Sequence, residues 1–141
     1  RIFPHLRWAA YLPDWGGPRE GERPAAYIVV LNDTTIAASC GCDHGIAAQT
    51  IMLAATEAGL GGCILGAVDR DALRRALGIP GHLEIMLVLA LGKPREIVML
   101  EPMQDGDVRY WRDAAGHHHV PKRSLPEVLV RPNPGTSTPA V

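Results

Sequence analysis

Three short apolar runs, separated by two segments with helical spacing, constrain the fold of this chain more than any other feature. The runs lie at residues 25–31, 61–67 and 84–91, and their aliphatic and β-branched residues predict buried strands. The segments between them, at residues 43–58 and 70–77, carry apolar side chains at helical spacing. The order of strand, helix, strand, helix, strand predicts an α/β-type core with one small sheet.

The two helical segments have recognisable start and stop signals. Asp43 is a candidate N-cap for the first helix, and Gly59 supplies its C′ residue. Asp69 is the corresponding N-cap of the second helix, which ends at Gly78. The first helix is rich in alanine and apolar nearly all round. We therefore expect it inside a helix bundle or at a subunit interface.

The N-terminal and C-terminal flanks of this core are rich in turn residues. The density of Pro, Gly and aromatic residues in 1–24 predicts a packed loop after a short helical stretch around residues 4–11. The turn at residues 113–116 predicts a β-hairpin between flanking strands. Residues 126–130 predict a terminal edge strand, and residues 131–141, mostly Pro, Thr and Ser, predict a frayed tail.

Composition excludes several classes of protein. The 141 residues correspond to one domain, and 14 Lys and Arg against 15 Asp and Glu argue against a general nucleic-acid or membrane-surface binder. With 47% hydrophobic residues, the chain as a whole is not disordered, and no apolar run approaches the ~20 residues that span a bilayer. Cys40, Cys42 and Cys63 are predicted to be reduced thiols of a cytoplasmic protein. The chain opens with Arg1 and its first methionine is Met52, so we expect a segment upstream.

Three stretches in a fixed order resemble the C-terminal portion of the nitroreductase family of FMN-dependent oxidoreductases. The first is WAAYLPDW at 8–15 followed by GERPAAYIV at 21–29. The second is GIAAQTIMLAA at 45–55 running into GLGGCILG at 59–66. The third is LALGKP at 89–94 with HVPKRSL at 119–125. Each stretch alone is common, and the resemblance depends on their order and spacing.

This resemblance implies an α+β fold, a three-layer α/β/α sandwich that lacks its N-terminal part, over residues 1–130, with 131–141 as a flexible tail. It also implies a homodimer with FMN in two pockets between the subunits. The family's usual opening, an Arg- and Ser-containing helix start for the FMN phosphate, is absent from this sequence. We therefore expect the isolated chain to bind FMN poorly or not at all.

Four residues match the family's cofactor-binding positions. Leu65 and Gly66 match the point where the backbone approaches flavin N5, since a glycine lets the main chain come close. Lys122 and Arg123 match the basic pair that reaches the ribityl phosphate, and Ser124 is a weaker candidate. The alternatives remain that Gly66 only ends a strand and that the basic pair is a solvated loop.

Two further groups of side chains invite functional interpretations. His117 and His119 would share one face of a strand while His118 points away, but two imidazoles are too few for a closed zinc site. We therefore interpret the run as a partly exposed hairpin face, with no metal. Trp8 is predicted to lie in the core, whereas Trp15 could line a cleft or fill the core.

The function implied by the resemblance is that of an FMN-dependent NAD(P)H oxidoreductase. Hydride would pass from NAD(P)H through flavin N5 to a nitroaromatic, quinone or similar acceptor by a ping-pong mechanism, and no side chain is assigned as catalytic. The expected partners are the nicotinamide, a small-molecule acceptor and a second copy of the chain, with no nucleic acid and no membrane. The alternative is a flavin-less dimerising or binding module of the same fold. Related reductive dehalogenation or flavin fragmentation also stays open.

Overall fold

A computed structural model describes residues 1–130, which form parts of two compact units. The first unit comprises Arg1–Arg95 and the second begins at Glu96. Helices and two separate sheets make the fold mixed α+β, as the resemblance implies. Within residues 1–130, no helix is both long and apolar enough to cross a membrane.

The first unit contains a three-stranded sheet. Its strands are β1 (Ala26–Asp33), β2 (Gly61–Leu65) and β3 (Leu83–Gly92), so all three predicted strands are confirmed. The order is β1-β3-β2, with both pairings antiparallel. Because β3 is central, its side chains are covered on both faces, which explains its uninterrupted apolar sequence.

Helix α1 (Asp43–Glu57) follows β1 and ends where the sequence predicts. Gly59 has φ +72°, and the amide of Leu60 donates to the carbonyl of Ala55 at 2.8 Å, which closes a Schellman motif. The prediction that Asp43 is the N-cap is wrong. Cys42 is the N-cap and forms no side-chain capping bond, while Asp43 is the first helical residue. There its carboxylate still lies at the positive end of the helix dipole.

Helix α2 (Arg70–Leu77) has both predicted caps. The Asp69 carboxylate accepts a hydrogen bond from the amide of Ala72 at 3.0 Å, which satisfies one of the unpaired donors of the first turn. Gly78 ends the helix in the left-handed conformation, with φ 66°. Asp69 and Gly78 therefore set both ends of a short helix.

The apolar core of this unit lies on both faces of β3. One cluster of buried side chains gathers on the α2 side: Leu6, Leu65, Leu73, Ile85, Val88 and Ala90. Leu89 and Leu91 alternate with Val88 and Ala90 and therefore point to the other face. On that face α1 packs against all three strands. The sheet thus separates two helical layers, as the three-layer prediction requires.

Several side chains of the first unit are less buried than the sequence predicts. Strand β1 is an edge strand, and Asn32 is its one fully buried residue rather than any of its aliphatic side chains. In α1, two alanines are buried, but Ile46 is 60% and Leu53 is 62% exposed. The described chain therefore leaves an apolar surface on α1 without a covering layer.

The N-terminal loop packs through its aromatic residues. The helical stretch predicted for residues 4–11 is only a 3₁₀ turn, Phe3–His5, because Leu6 leaves it in an extended conformation and bridges to Val68. The Trp8 ring packs against the core cluster, as predicted, and meets Trp15 edge-on at 6.5 Å between ring centroids. Gly17 lies against the same indole with φ +105°, where a Cβ would come within 2.6 Å of it.

The second unit contains a mixed sheet that the sequence predicts only in part. Its strands are β4 (Val98–Pro102), β5 (Trp111–Arg112) and β6 (His118–Lys122), with β6 in the centre. β6 is antiparallel to β5, which confirms the hairpin, and parallel to β4. The small sheet predicted for the core is present in the first unit, whereas this second sheet and its strand at residues 98–102 were not predicted.

A short helix, α3 (Leu125–Val128), follows β6. The prediction of an edge strand at 126–130 is wrong because Ser124 and Glu127 form a capping box that starts a helical turn. The tail predicted at residues 131–141 lies outside the described residues.

Candidate functional site

The first predicted pair, Leu65 and Gly66, lies where β2 leaves the sheet. Leu65 pairs with Val88 of β3 and is 5% exposed, so its side chain anchors the end of the strand in the core. The Gly66 carbonyl accepts a hydrogen bond from Arg70 Nη2 at 3.2 Å. Arg70 also donates from Nε to the carbonyl of Ile85 at 2.9 Å. The guanidinium therefore ties this turn to the neighbouring strand.

The glycine at position 66 has no explanation in the packing of the described chain. Its φ lies outside the left-handed region, and a Cβ built there would meet only Leu87 Cδ2, at 3.9 Å. Gly62, four residues earlier, differs sharply, since a Cβ there would lie 2.7 Å from the carbonyl oxygen of Ala90. The backbone at Gly66 is thus exposed, fixed and free of a side chain, which suits close approach by a flat ligand.

The second predicted pair, Lys122 and Arg123, lies at the end of β6, and both residues are exposed. The carbonyl of Lys122 accepts a hydrogen bond from the amide of Met103 at 3.0 Å, which fixes the backbone there. The amide and hydroxyl of Ser124 both donate to Glu127 Oε2 at 2.6 Å. These bonds, with the charge of Arg123, lower the pKa of Glu127. The donors of Ser124, directly after β6, are therefore already bound to an anionic group, the carboxylate of Glu127.

The two predicted pairs lie in different units. Leu65 and Gly66 belong to the first unit, and Lys122 and Arg123 belong to the second. Each pair lies at the carboxyl end of a strand, β2 or β6.

The three histidines at the start of β6 and just before it alternate in direction, as predicted. His117 Nδ1 lies 2.9 Å from Asp113 Oδ2, and His119 Nε2 lies 3.4 Å from the same oxygen. His118 points elsewhere, with Nδ1 3.0 Å from Glu96 Oε1. Within residues 1–130, no group of three or more His, Cys, Asp or Glu side chains is arranged to hold a metal ion.

His119 is the most strongly paired of the three imidazoles. Its Nδ1 lies 2.7 Å from Glu101 Oε1, and its ring stacks on Trp111 at 5.0 Å between centroids. The hydrogen bond to Glu101, helped by the bond to Asp113, raises the pKa of His119. Hydrogen bonds from His117, first its backbone amide, lower the pKa of Asp113. This network joins β4 to β6 and to the turn before β6 through side-chain hydrogen bonds.

A cavity of about 340 Å³ in the first unit contains a residue pair that the sequence reasoning missed. Cys40 Sγ lies 3.3 Å from His44 Nδ1, and both residues line the cavity with the buried Asn32. In the sequence, Cys40 is interpreted only as one of three reduced thiols, with no partner assigned. The signal in the sequence was the spacing of four residues that places Cys40 just before α1 and His44 in its first turn.

The chain resembles an FMN-dependent nitroreductase from Clostridium difficile R20291 at 23% identity, with a TM-score of 0.49, over 58% of this chain and 51% of that protein. It also resembles a nitroreductase family protein from Clostridium novyi NT at 29% identity, with a TM-score of 0.46, over 51% of this chain and 44% of that protein. The alignments therefore span about half the length of these proteins. The model of the nitroreductase family matches residues 22–93, more than half of the chain. The chain belongs to the nitroreductase family.

Proposed function

We propose that this chain forms part of an FMN-dependent oxidoreductase that uses NAD(P)H to reduce a nitroaromatic, quinone or similar acceptor. The observation that carries the proposal is Gly66, whose missing side chain serves no packing or backbone need in the described chain. Bound FMN would supply the hydride chemistry, which no side chain of a protein can perform alone. Family membership supports the same class of reaction.

The residues around Gly66 would place the flavin ring rather than react with substrate. The buried Leu65 side chain and the Arg70 guanidinium fix the main chain on either side of the glycine. A fixed backbone dipole near the flavin edge stabilises developing charge without having to reorganise. The proposed role of Leu65 and Gly66 is therefore to hold the ring in position and tune its electron affinity.

Lys122 and Arg123 would bind the phosphate of the cofactor. Both side chains are exposed, and Arg can hold two phosphate oxygens at once. Glu127 already occupies the two donors of Ser124. Lys122 and Arg123 are therefore the proposed ligands, and Ser124 would take part only after Glu127 moves away.

A homodimer is part of the same proposal. The exposed Ile46 and Leu53 side chains lie on a helix whose apolar surface the described chain does not cover. A second copy would bury this surface, since patches of this kind mark interfaces. A cytoplasmic location also belongs to the proposal, supported by three cysteines that form no disulfide.

The function is tested on protein expressed from its complete gene. We expect yellow protein that releases FMN on heating, bleaches under NADH or NADPH without oxygen, and sediments as a dimer. Steady-state rates should give parallel double-reciprocal lines, because nicotinamide and acceptor would take turns in one site. Intersecting lines would contradict the shared site. A colourless protein that takes up no FMN would favour the flavin-less module.

The phosphate role is tested with two opposed substitutions. Arg123→Ala should weaken FMN retention by about 1.5–3 kcal/mol, the range for hydrogen bonds to charged groups. Glu127→Gln should strengthen it, because the substitution removes a negative charge beside Arg123. Fluorescence titration of FMN measures both. Unchanged FMN affinity in both variants would indicate that Lys122 and Arg123 belong to a solvated loop and do not bind the phosphate.

A further inference from the structure

The cavity beside Cys40 has the composition of a site for a small reactive molecule. It has a volume of about 340 Å³ and lies between the end of β1 and the start of α1. Apolar side chains of Val30, Leu31 and Ile36 form part of its lining. Cys40 and His44 also line it, with the thiol sulfur and the imidazole Nδ1 3.3 Å apart. A nucleophile and a base thus lie within hydrogen-bond reach of each other.

A buried amide also lines this cavity. Asn32 is 6% exposed, although the strand that carries it is otherwise only partly buried. Within residues 1–130, the only hydrogen bond of its side chain is a long donation from Nδ2 to the carbonyl of Ala37, at 3.4 Å. Buried amides normally form more hydrogen bonds than this. Asn32 therefore has capacity left to bind a polar group of a molecule in the cavity.

The charges on the lining restrict what the cavity can accept. Asp33 and Asp43 both contribute to it. The Asp33 carboxylate accepts hydrogen bonds from the amide and hydroxyl of Thr35, which lower its pKa. A negatively charged reactant would therefore be repelled, and a neutral one with a hydrogen-bonding carbonyl group fits the set of lining groups.

We propose that Cys40 and His44 form a nucleophilic thiol–imidazole pair that adds to neutral α,β-unsaturated carbonyl compounds in this cavity. His44 Nδ1 takes the thiol proton, and Cys40 Sγ forms a bond to the β-carbon while the C=C π bond breaks. The resulting imidazolium then returns the proton to the α-carbon. The net reaction adds S–H across the double bond, so no oxidant or reductant is consumed. This reaction needs no flavin and is independent of the proposed function.

The test compares the three cysteines of one chain. The intact protein is treated with acrylamide, a neutral α,β-unsaturated amide, and the modification of each cysteine is followed by peptide mass spectrometry. Cys42 is the matched control, because it lies two residues away at the same helix start. Cys42 is exposed, whereas Cys40 is half-buried. We expect Cys40 to react faster than Cys42 and Cys63 despite its lower exposure.

Substitution of His44 tests whether its imidazole acts as the base for the Cys40 thiol. His44→Ala should slow the Cys40 reaction by about tenfold, less than the ~10²–10⁴-fold that a positioned base contributes in enzymes. The Cys42 rate should not change, and added imidazole should restore part of the Cys40 rate. Slower reaction at Cys40 than at Cys42 or Cys63 would overturn the proposal. An unchanged Cys40 rate in His44→Ala, or a fall that imidazole does not restore, would overturn it as well.

Discussion

The two units of this chain are stabilised by different forces. In the first, β3 places Val88 and Leu89 on opposite faces of a sheet, and both side chains are fully buried. In the second, none of the residues 96–130 is fully buried. Its sheet is instead bridged by charged groups, with Glu96 contacting both Arg112 and His118. Loss of apolar volume should therefore affect the first unit, and protonation should affect the second.

The largest effect is expected from a cavity in the first unit. Leu73 is fully buried in the core cluster, so Leu73→Ala should destabilise the protein by about 2–5 kcal/mol. The matched control is Leu100→Ala in β4, where the side chain is 73% exposed and the cost should be about 0.5 kcal/mol or less. Chemical denaturation measures both. Equal losses of stability in the two variants would contradict the proposed difference in apolar packing between the two units.

A smaller loss is expected from added volume between β2 and β3 of the same unit. Gly62→Ala would place a Cβ 2.7 Å from the carbonyl oxygen of Ala90 and 2.9 Å from Met52 Cε. The methionine can move, but the strand backbone cannot, so the cost should be about 1–3 kcal/mol. Thermal unfolding followed by circular dichroism measures it. A melting temperature equal to that of the wild type would contradict the close approach of β2 and β3.

The success of the sequence predictions also differs between the two units. Asp69 and Gly78 predict both ends of α2 correctly, and the apolar runs predict all three strands of the first sheet, because these signals are local and apolar. Strand β4 was missed because its partner β6 lies about 20 residues further on, and parallel pairing leaves no turn signal. The capping box of Ser124 and Glu127 is a local sequence signal that would have predicted the start of α3.

The candidate site was less predictable than the fold. Leu65 and Gly66 are ordinary strand-end residues in the sequence, and only the family resemblance singles them out. The freedom around Gly66 required coordinates, because it depends on Leu87, 21 positions later in the chain. The Cys40–His44 pair was visible as a spacing, but the cavity beside it is formed by β1 and the loop that follows, which no local pattern predicts.

The second unit should respond to pH through His119. Hydrogen bonds to Glu101 and Asp113 raise the pKa of His119, so its contribution is complete below its ordinary value near 6.5 and is lost as pH rises through the folded value. The pKa of Asp113 is lowered, so its contribution is present above about 4 and is lost as pH falls. The unit should be most stable between roughly pH 4 and 6.5.

This pH dependence is measured by NMR titration of His119 and by unfolding of the second unit at several pH values. His119→Gln should remove the loss of stability on the alkaline side while keeping the loss on the acid side. The core of the first unit should not show the alkaline loss. A stability profile of His119→Gln that matches the wild type would contradict the role of His119.

The central claim, that the glycine at position 66 is reserved for a flavin, is tested most directly by Gly66→Ala in protein expressed from the complete gene. The matched control is Gly81→Ala, since a Cβ at Gly81 would meet no atom within 4 Å and its backbone, like that of Gly66, is not left-handed. We predict equal thermal stability for both variants, with reduced FMN affinity and a shifted flavin reduction potential in Gly66→Ala alone. Wild-type affinity and potential in Gly66→Ala would contradict the account.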